Sequence, residues 1–494
     1  MFAWQDRARV MLFHAHVFIL GFLPLCLGGF FAVGWMAGPV WALRWLIAAN
    51  FVFYGWWDPR FLLLLAGSIL VNHRLAHAIR DAGPAWGGRL LTGGVVFNLG
   101  LLGWFKYADF LLGTILPGHT PLANALPLGI SFFTFQQIML LAEARRGAGR
   151  PAGLARTAAF VSFFPHLIAG PLVRPSEILP QLESPGLAQP RWSNLTEGLI
   201  LFLLGLGKKL VLADMFGGFS DTGFDAAAAG APLTLLEAWY ATLSYALQIY
   251  FDFSGYSDMA TGLARMMNVR FPLNFDSPYQ ARDIAAFWRR WHITLGGFLR
   301  EYVYIPLGGS RLGAARQMIN LMATMLLCGL WHGAAWRFVL WGGLHGLFLA
   351  VHAGWRAKGW RLPAVLARGL TLLVVVAAWV PFRADGLPAA WSMFRAMAGA
   401  NGVALPTMIV GFFPPLAHIA TPVAVLPYLG DGRTLSLPEV SACLLLGWFL
   451  VLVPPHIHAM TGRARYWAVT TGFAFTVQAL FFAPRVAPFL YFQF

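Results

Sequence analysis

Trp331-His332-Gly333 places an imidazole inside the stretch 318–349, which is otherwise almost free of ionisable groups. A titratable side chain is costly to keep in so apolar a setting, which makes it a functional candidate by default. Histidine is also the side chain best matched to proton transfer near neutral pH. Two readings of His332 stand side by side. It is a core histidine hydrogen-bonded to a carbonyl, or it is a general base. In the second case a dry pocket keeps the imidazole neutral, and so able to take a proton from an acceptor hydroxyl or thiol.

A second imidazole, His292, closes Trp288-Arg289-Arg290-Trp291-His292. The residue types allow a polar-face position on an interfacial helix. They also allow a pocket in which Arg289 and Arg290 receive a phosphate-bearing donor, since guanidinium pairs well with phosphate. Trp288 and Trp331 are expected to line the same pocket. His345, in Gly342-Gly343-Leu344-His345-Gly346, lies thirteen residues from His332, too far round for one face of a continuous helix. A supporting role follows, with Gly342 and Gly346 forming a small-xxx-small packing face. Asp252 and Asp258, in Tyr250-Phe251-Asp252-Phe253-Ser254-Gly255-Tyr256-Ser257-Asp258, admit a paired-carboxylate mechanism. The expected role is instead polar scaffolding around a cavity, with Gly255 breaking the helix. No metal site is predicted. His73 and His77 have i, i+4 spacing but no evident third ligand, and His456-Ile457-His458 is weaker still.

Those residues must be positioned by elements of an unusual kind. Of the 494 residues, 58% are hydrophobic and 11% charged, against about 25% charged in soluble domains. The chain is therefore an all-α, polytopic membrane protein, predicted as one domain over 1–494. Cys26, Cys328 and Cys443 lie in apolar segments and read as small hydrophobes. The net charge of +15 does not imply nucleic-acid binding. The arginines sit mostly in short loops between apolar runs, as positive-inside signals do. The run 10–33 behind Arg7 and Arg9 reads as a span and not as a cleaved signal. No phosphate-cradling Gly-Lys-Ser/Thr loop and no Gly-x-Ser-x-Gly elbow is present, which argues against an ATP-driven pump and an α/β serine hydrolase.

Spans are expected near 10–33, 41–57, 61–76, 91–112, 125–142, 234–251, 317–332, 336–354, 366–383, 438–454 and 467–484, about eleven at roughly 20 apolar residues each. The loops 73–89 and 143–156 are arginine-rich and should be cytoplasmic, while 113–126 is uncharged and should be external. The stretches 155–172 and 196–214 fit less well. Two prolines and His166 interrupt the first, and Lys208-Lys209 closes the apolar run of the second. Re-entrant or surface-lying helices would account for both. Asp283–Arg300 is predicted as one amphipathic helix, with Phe287, Trp288, Trp291 and Leu295 on its apolar side.

Several of these stretches, taken together, resemble the membrane-bound O-acyltransferases of the kind that acetylate alginate. They are Gly103-Trp104-Phe105-Lys106-Tyr107, Leu128-Gly129-Ile130-Ser131-Phe132, Phe164-Pro165-His166-Leu167-Ile168-Ala169-Gly170-Pro171 and Tyr250–Ala260. Phe287–Ile293, Leu330-Trp331-His332-Gly333-Ala334 and Phe489–Phe494 complete the set. The resemblance implies many transmembrane helices around a central cavity, in a thinned core open from both sides. It also implies transfer of an acyl group, usually acetyl from acetyl-CoA, towards an exported polysaccharide of alginate, cellulose or peptidoglycan type. The family's essential histidine falls on His332 and its second recurrent histidine on His292.

The expectation that follows is a multi-pass enzyme of the bacterial inner membrane, with no bound cofactor and acetyl-CoA as donor substrate. A separate periplasmic esterase-like protein would complete the transfer. Within the family the alternative is D-alanyl transfer from a carrier-protein thioester. Outside it stand a transporter with a histidine proton relay, which inverted repeats would favour and none is visible, and a non-catalytic export scaffold.

Overall fold

The computed structural model describes residues 11–116, 118–122, 125–147, 152–430, 437–456, 459–482, 487 and 489–490. Arg7, Arg9, residues 148–151 of the loop 143–156, Ile457, His458 and Tyr491–Phe494 lie outside the described residues. The chain divides into two compact units, 1–206 with 256–273, and 207–255 with 274–494.

In the first unit, a π-turn at Val17–Phe22 leads into α1 (Leu23–Ala37), followed by α2 (Pro39–Gly55), α3 (Arg60–Asp81) and α4 (Pro84–Leu102). A second π-turn, Gly103–Tyr107, joins α4 to α5 (Ala108–Ile115). Then come α6 (Ile130–Arg146), α7 (Leu154–Ser162), α8 (Phe164–Leu167), α9 (Pro175–Leu182) and α10 (Trp192–Gly207). Several of its buried polar side chains pair with one another, which offsets part of the cost of an apolar surround. Asn98 Nδ2 donates to Asn72 Oδ1 at 2.6 Å, Gln137 Nε2 to Ser68 Oγ at 2.9 Å, and Gln136 Nε2 pairs with His166 Nδ1 at 2.6 Å. The stretch 155–172 is broken and does not form a span. The chain turns at Phe163, where Asn50 Oδ1 accepts from Phe164 N at 3.2 Å and Asn50 Nδ2 donates to Ser162 Oγ at 3.3 Å. A protein side chain thus meets the backbone need that a proline-bearing interruption creates.

The second unit begins with a π-turn, Lys208–Ala213, that runs on into α11 (Asp214–Ala228). The long α12 (Leu235–Met266) passes through Gly255 without a break, contrary to the expectation that this glycine ends the helix. Its residues from Tyr256 onward belong to the first unit. The remaining helices are α13 (Ile284–Trp288), α14 (Ile293–Leu299), α15 (Ala314–His332), α16 (Trp336–Ala357), α17 (Ala364–Arg383), α18 (Leu387–Met397), α19 (Thr407–Phe412), α20 (Leu437–Leu452) and α21 (Gly462–Phe482). Two three-residue strands, β1 (Ala404–Pro406) and β2 (Thr421–Val423), pair in parallel.

Every expected span corresponds to a helix. Among the described residues, Val17–Ala37, Arg60–Asp81, Pro84–Ile115, Trp336–Ala357 and Ala364–Arg383 are long and apolar enough to cross a bilayer by length and composition.

α15 and α16 form the hairpin that carries Trp331-His332-Gly333. A Cβ at Gly329 would fall onto the carbonyl oxygen of Phe338, and one at Gly342 onto that of Met325. Only glycine lets the two backbones approach this closely. At Gly333 a Cβ would run into the Phe338 ring, so the turn Gly333–Ala335 is also closed by a missing side chain. The predicted small-xxx-small face of Gly342 and Gly346 is part of this packing, and Gly329 and Gly333 complete it.

Candidate active site

His332 is the last residue of α15, and its ring turns back on its own helix. Nδ1 lies 2.7 Å from the carbonyl oxygen of Cys328. A carbonyl can only accept, so Nδ1 carries the proton and Nε2 is left as the proton acceptor. The carbonyl-bonded core reading and the general-base reading are therefore compatible. The backbone bond fixes the tautomer that a base requires.

Aromatic rings cage the imidazole. Trp331 and Trp341 both lie at 4.9 Å and Phe382 at 5.4 Å, centroid to centroid. His332 reaches a cavity of ≈ 30 Å³ lined by Ile249, Asp252, Phe253, Trp291, Trp379, Phe382 and Leu490. That is space on the scale of a water molecule. A roomier open hollow of ≈ 360 Å³ lies on α21 among Thr470, Thr471, Ala474 and Gln478. It bears no titratable side chain, so size does not select the chemistry here.

Asp252 meets the same cavity but is already engaged. Lys209 Nζ lies 2.9 Å from Asp252 Oδ1 and 2.7 Å from Asp214 Oδ1. Asp252 Oδ2 accepts from the backbone N of Leu490 at 2.9 Å, and Lys209 Nζ stands 5.1 Å from the Phe489 ring centre. The carboxylate thus pins the Phe489-Leu490 segment to the cavity wall, which fits the scaffolding role. Asp258 is buried in the first unit. The sequence reading missed Lys209, and only its place in an apolar run signalled it.

The segment 283–300 is not one amphipathic helix. Asp283 caps α13 by accepting from Ala286 N at 2.6 Å, and α13 ends after Trp288. α14 starts only after His292, whose φ of 46° is left-handed. For a residue with a Cβ that backbone costs free energy and persists only where surroundings impose it. Phe287, Trp291 and Leu295 are buried.

His292 itself is 1% exposed. Its Nδ1 lies 3.1 Å from Asn274 Oδ1, and its ring meets Phe253 edge-on at 4.7 Å and Trp331 at 6.2 Å. Burial, and secondarily His332, hold its pKa well below the ordinary imidazole value, so the ring is neutral.

The other predicted residues fall around this centre. Trp288 donates from Nε1 to His345 Nδ1 at 3.3 Å and packs on Trp341 at 5.8 Å, outside the cavity lining. His345 stands 4.9 Å from the Trp341 ring, as His332 does. Two histidines that no single helix face could share therefore flank one indole across the hairpin. Arg289 is exposed and Arg290 half-buried at the α13–α14 junction, and neither lines the cavity. His73 and His77 lie in the first unit, where His73 Nδ1 contacts Thr157 Oγ1 and His77 Nδ1 contacts the His73 carbonyl.

The sequence profile of the membrane-bound O-acyltransferase family matches residues 96–379. A peptidoglycan O-acetyltransferase of Helicobacter pylori is 41% identical over 434 residues, covering 81% of this chain and 82% of the relative. A probable alginate O-acetylase of Pseudomonas aeruginosa is 41% identical over 403 residues, covering 78% and 75%. A teichoic acid D-alanyltransferase of Streptococcus thermophilus is more distant, at 29% over 47% of this chain and 58% of its own. His292, His332 and Trp341 all lie within the matched stretch. This chain belongs to the membrane-bound O-acyltransferase family, a family of multi-pass membrane enzymes.

Proposed function

We propose that this enzyme moves acetyl from cytoplasmic acetyl-CoA towards an exported polysaccharide across the bacterial inner membrane, with His332 as general base. The observation that carries the reading is the hydrogen bond from His332 Nδ1 to the Cys328 carbonyl at the edge of a cavity. It leaves Nε2 as the acceptor in a site walled by aromatic rings. Nε2 takes the proton of an acceptor hydroxyl as that oxygen attacks the thioester carbonyl. The carbon–sulfur bond then breaks, and the thiolate of CoA leaves with the proton returned from the imidazolium. The imidazolium forms at the C-terminal end of the 19-residue α15, where the helix dipole favours positive charge. Phe382 and Trp291 must give way for the acetyl group, since the resting space is ≈ 30 Å³.

Arg289 and Arg290 are assigned to the CoA phosphates. Asp283, which caps α13, lies 3.5 Å from His352 near the C-terminal end of α16. That end continues into a run bearing Arg356, Lys358, Arg361 and Arg368. By the positive-inside rule this end faces the cytoplasm, where CoA is available. The polymer assignment leans on the relatives' names, peptidoglycan O-acetyltransferase and probable alginate O-acetylase. A periplasmic esterase-like partner is the expected receiver of the acetyl group.

The test is acetyl release from radiolabelled acetyl-CoA by the purified full-length protein, compared with a D-alanyl carrier-protein thioester. Consumption of acetyl-CoA well above that of His332→Ala is the expected result. Consumption of the carrier thioester alone would replace the donor, and consumption of neither would remove the reading.

A further inference from the structure

His292 owes its pose to one residue eighteen positions earlier. Asn274 Oδ1 receives the His292 Nδ1 proton at 3.1 Å, the Thr294 hydroxyl at 2.9 Å and the Thr294 backbone N–H at 3.3 Å. The backbone oxygen of Asn274 receives Ile293 N at 2.9 Å, and Asp276 N donates to the Arg290 carbonyl at 2.9 Å. A backbone N–H can only donate, so the Asn274 atom facing Thr294 N is the oxygen and not the amide nitrogen. An oxygen there can only accept from the ring, so His292 carries its proton on Nδ1. Its Nε2, buried and without a hydrogen-bond partner among the described residues, then holds a bare lone pair. Leaving such an acceptor unpaired in the core is costly, and a functional use accounts for its retention.

We infer that Asn274 is a positioning residue, which locks His292 in the Nδ1–H tautomer and in its left-handed backbone. Nε2 is thereby presented as a second proton acceptor beside His332. This rests on the acetyl-transfer reading above. A hydroxyl or ammonium donor of an incoming acceptor molecule is the group such a nitrogen recognises. The titratable group facing His292 is His332 from α15. Phe253 of α12, Phe275 of the preceding loop and Trp331 of α15 present only rings.

The test compares Asn274→Ala and Asn274→Asp in the full-length protein, following the pH profile of acetyl transfer and the thermal unfolding of each. The alanine variant should lose roughly 10- to 100-fold in kcat, the scale on which removal of an orienting partner acts, with a smaller change in the KM for acetyl-CoA. The aspartate keeps an acceptor against Nδ1–H and so keeps the tautomer, but its charge favours imidazolium. Rate should therefore be largely retained at high pH, while the acid limb moves upward by about one pH unit or more, because a base works only in its neutral form. A purely structural asparagine would change unfolding and leave the acid limb in place. If Asn274→Ala fails to fold, the aspartate profile decides alone. An unmoved acid limb in Asn274→Asp, or wild-type kcat in Asn274→Ala, overturns the inference while wild-type transfer keeps the parent reading intact. Absence of transfer by the wild type overturns both.

Discussion

The α15–α16 hairpin and the segment 274–299 present their histidines by opposite means. His332 is set by its own helix: the acceptor for Nδ1 is the carbonyl four residues back, a group no substitution removes. His292 is set by a side chain from elsewhere, on a backbone that no regular element would supply. Both leave Nε2 as the acceptor. The first arrangement is robust to mutation everywhere except at the close backbone contacts that seat the helix. The second is fragile at one asparagine. Regular structure serves where a group needs only a direction, and an irregular clamp serves where it must stand in a position that a helix cannot reach.

The comparison breaks most violently at the hairpin glycines. A Cβ at Gly342 meets backbone, which cannot move aside as a side-chain tip can. Gly342→Leu should cost at least about 3 kcal/mol, seen as loss of the monodisperse peak in detergent. Gly343→Ala, one residue on, would place its Cβ at 3.6 Å from Leu326 Cδ2, an ordinary contact, and should be nearly neutral.

Next in size is the clasp under the cavity wall. Lys209→Met would leave the buried Asp252 and the half-buried Asp214 without this cation. Removing one member of a buried ion pair costs about 3–5 kcal/mol. Adding Asp214→Asn and Asp252→Asn should recover part of it in thermal unfolding. Wild-type stability in Lys209→Met alone would show that the clasp is dispensable.

The same contrast explains what could be read from the sequence. Apolar length located helices at all eleven expected stretches, because a run of apolar residues is a local property of the chain. Gly342 and Gly346 announced a packing face by their small-xxx-small spacing. The break at His292 was invisible, since Asn274 acts across eighteen residues and the 283–300 pattern of arginine and aromatics suits a helix. Lys209, Asp214 and Asp252 come from a π-turn, α11 and α12, and no periodicity links them. Gly255 misled because helix propensity, worth about 1 kcal/mol, yields to tertiary packing in a 32-residue helix. Of the site, His332 and its glycine-rich surroundings were legible, whereas the partners that fix its neighbours were not.

Smaller effects sharpen the donor assignment. Arg289→Ala and Arg290→Ala, exposed and half-buried, should each raise the KM for acetyl-CoA by roughly 3- to 10-fold with kcat little changed, since phosphate contacts are charge-assisted hydrogen bonds. The wild-type KM should rise with salt and the double variant's should not. Equal salt dependence in both would make the arginines topology anchors only. Smallest of all is Trp288→Phe, which removes the N–H donated to His345. It should cost about 0.5–1.5 kcal/mol of stability and leave the rate within about twofold. A large loss of rate would move Trp288 from support into the reacting pocket.

The central claim is that His332 removes a proton through Nε2, and the most direct measurement is single-turnover acetyl transfer by purified wild type, His332→Ala and His332→Gln at matched folding. A general base contributes about 10²–10⁴-fold. Both variants should fall by that factor with acetyl-CoA binding preserved, because glutamine keeps the polarity and cannot take the proton usefully. Transfer by well-folded His332→Gln within about threefold of wild type would contradict the account, since polarity without basicity would then suffice.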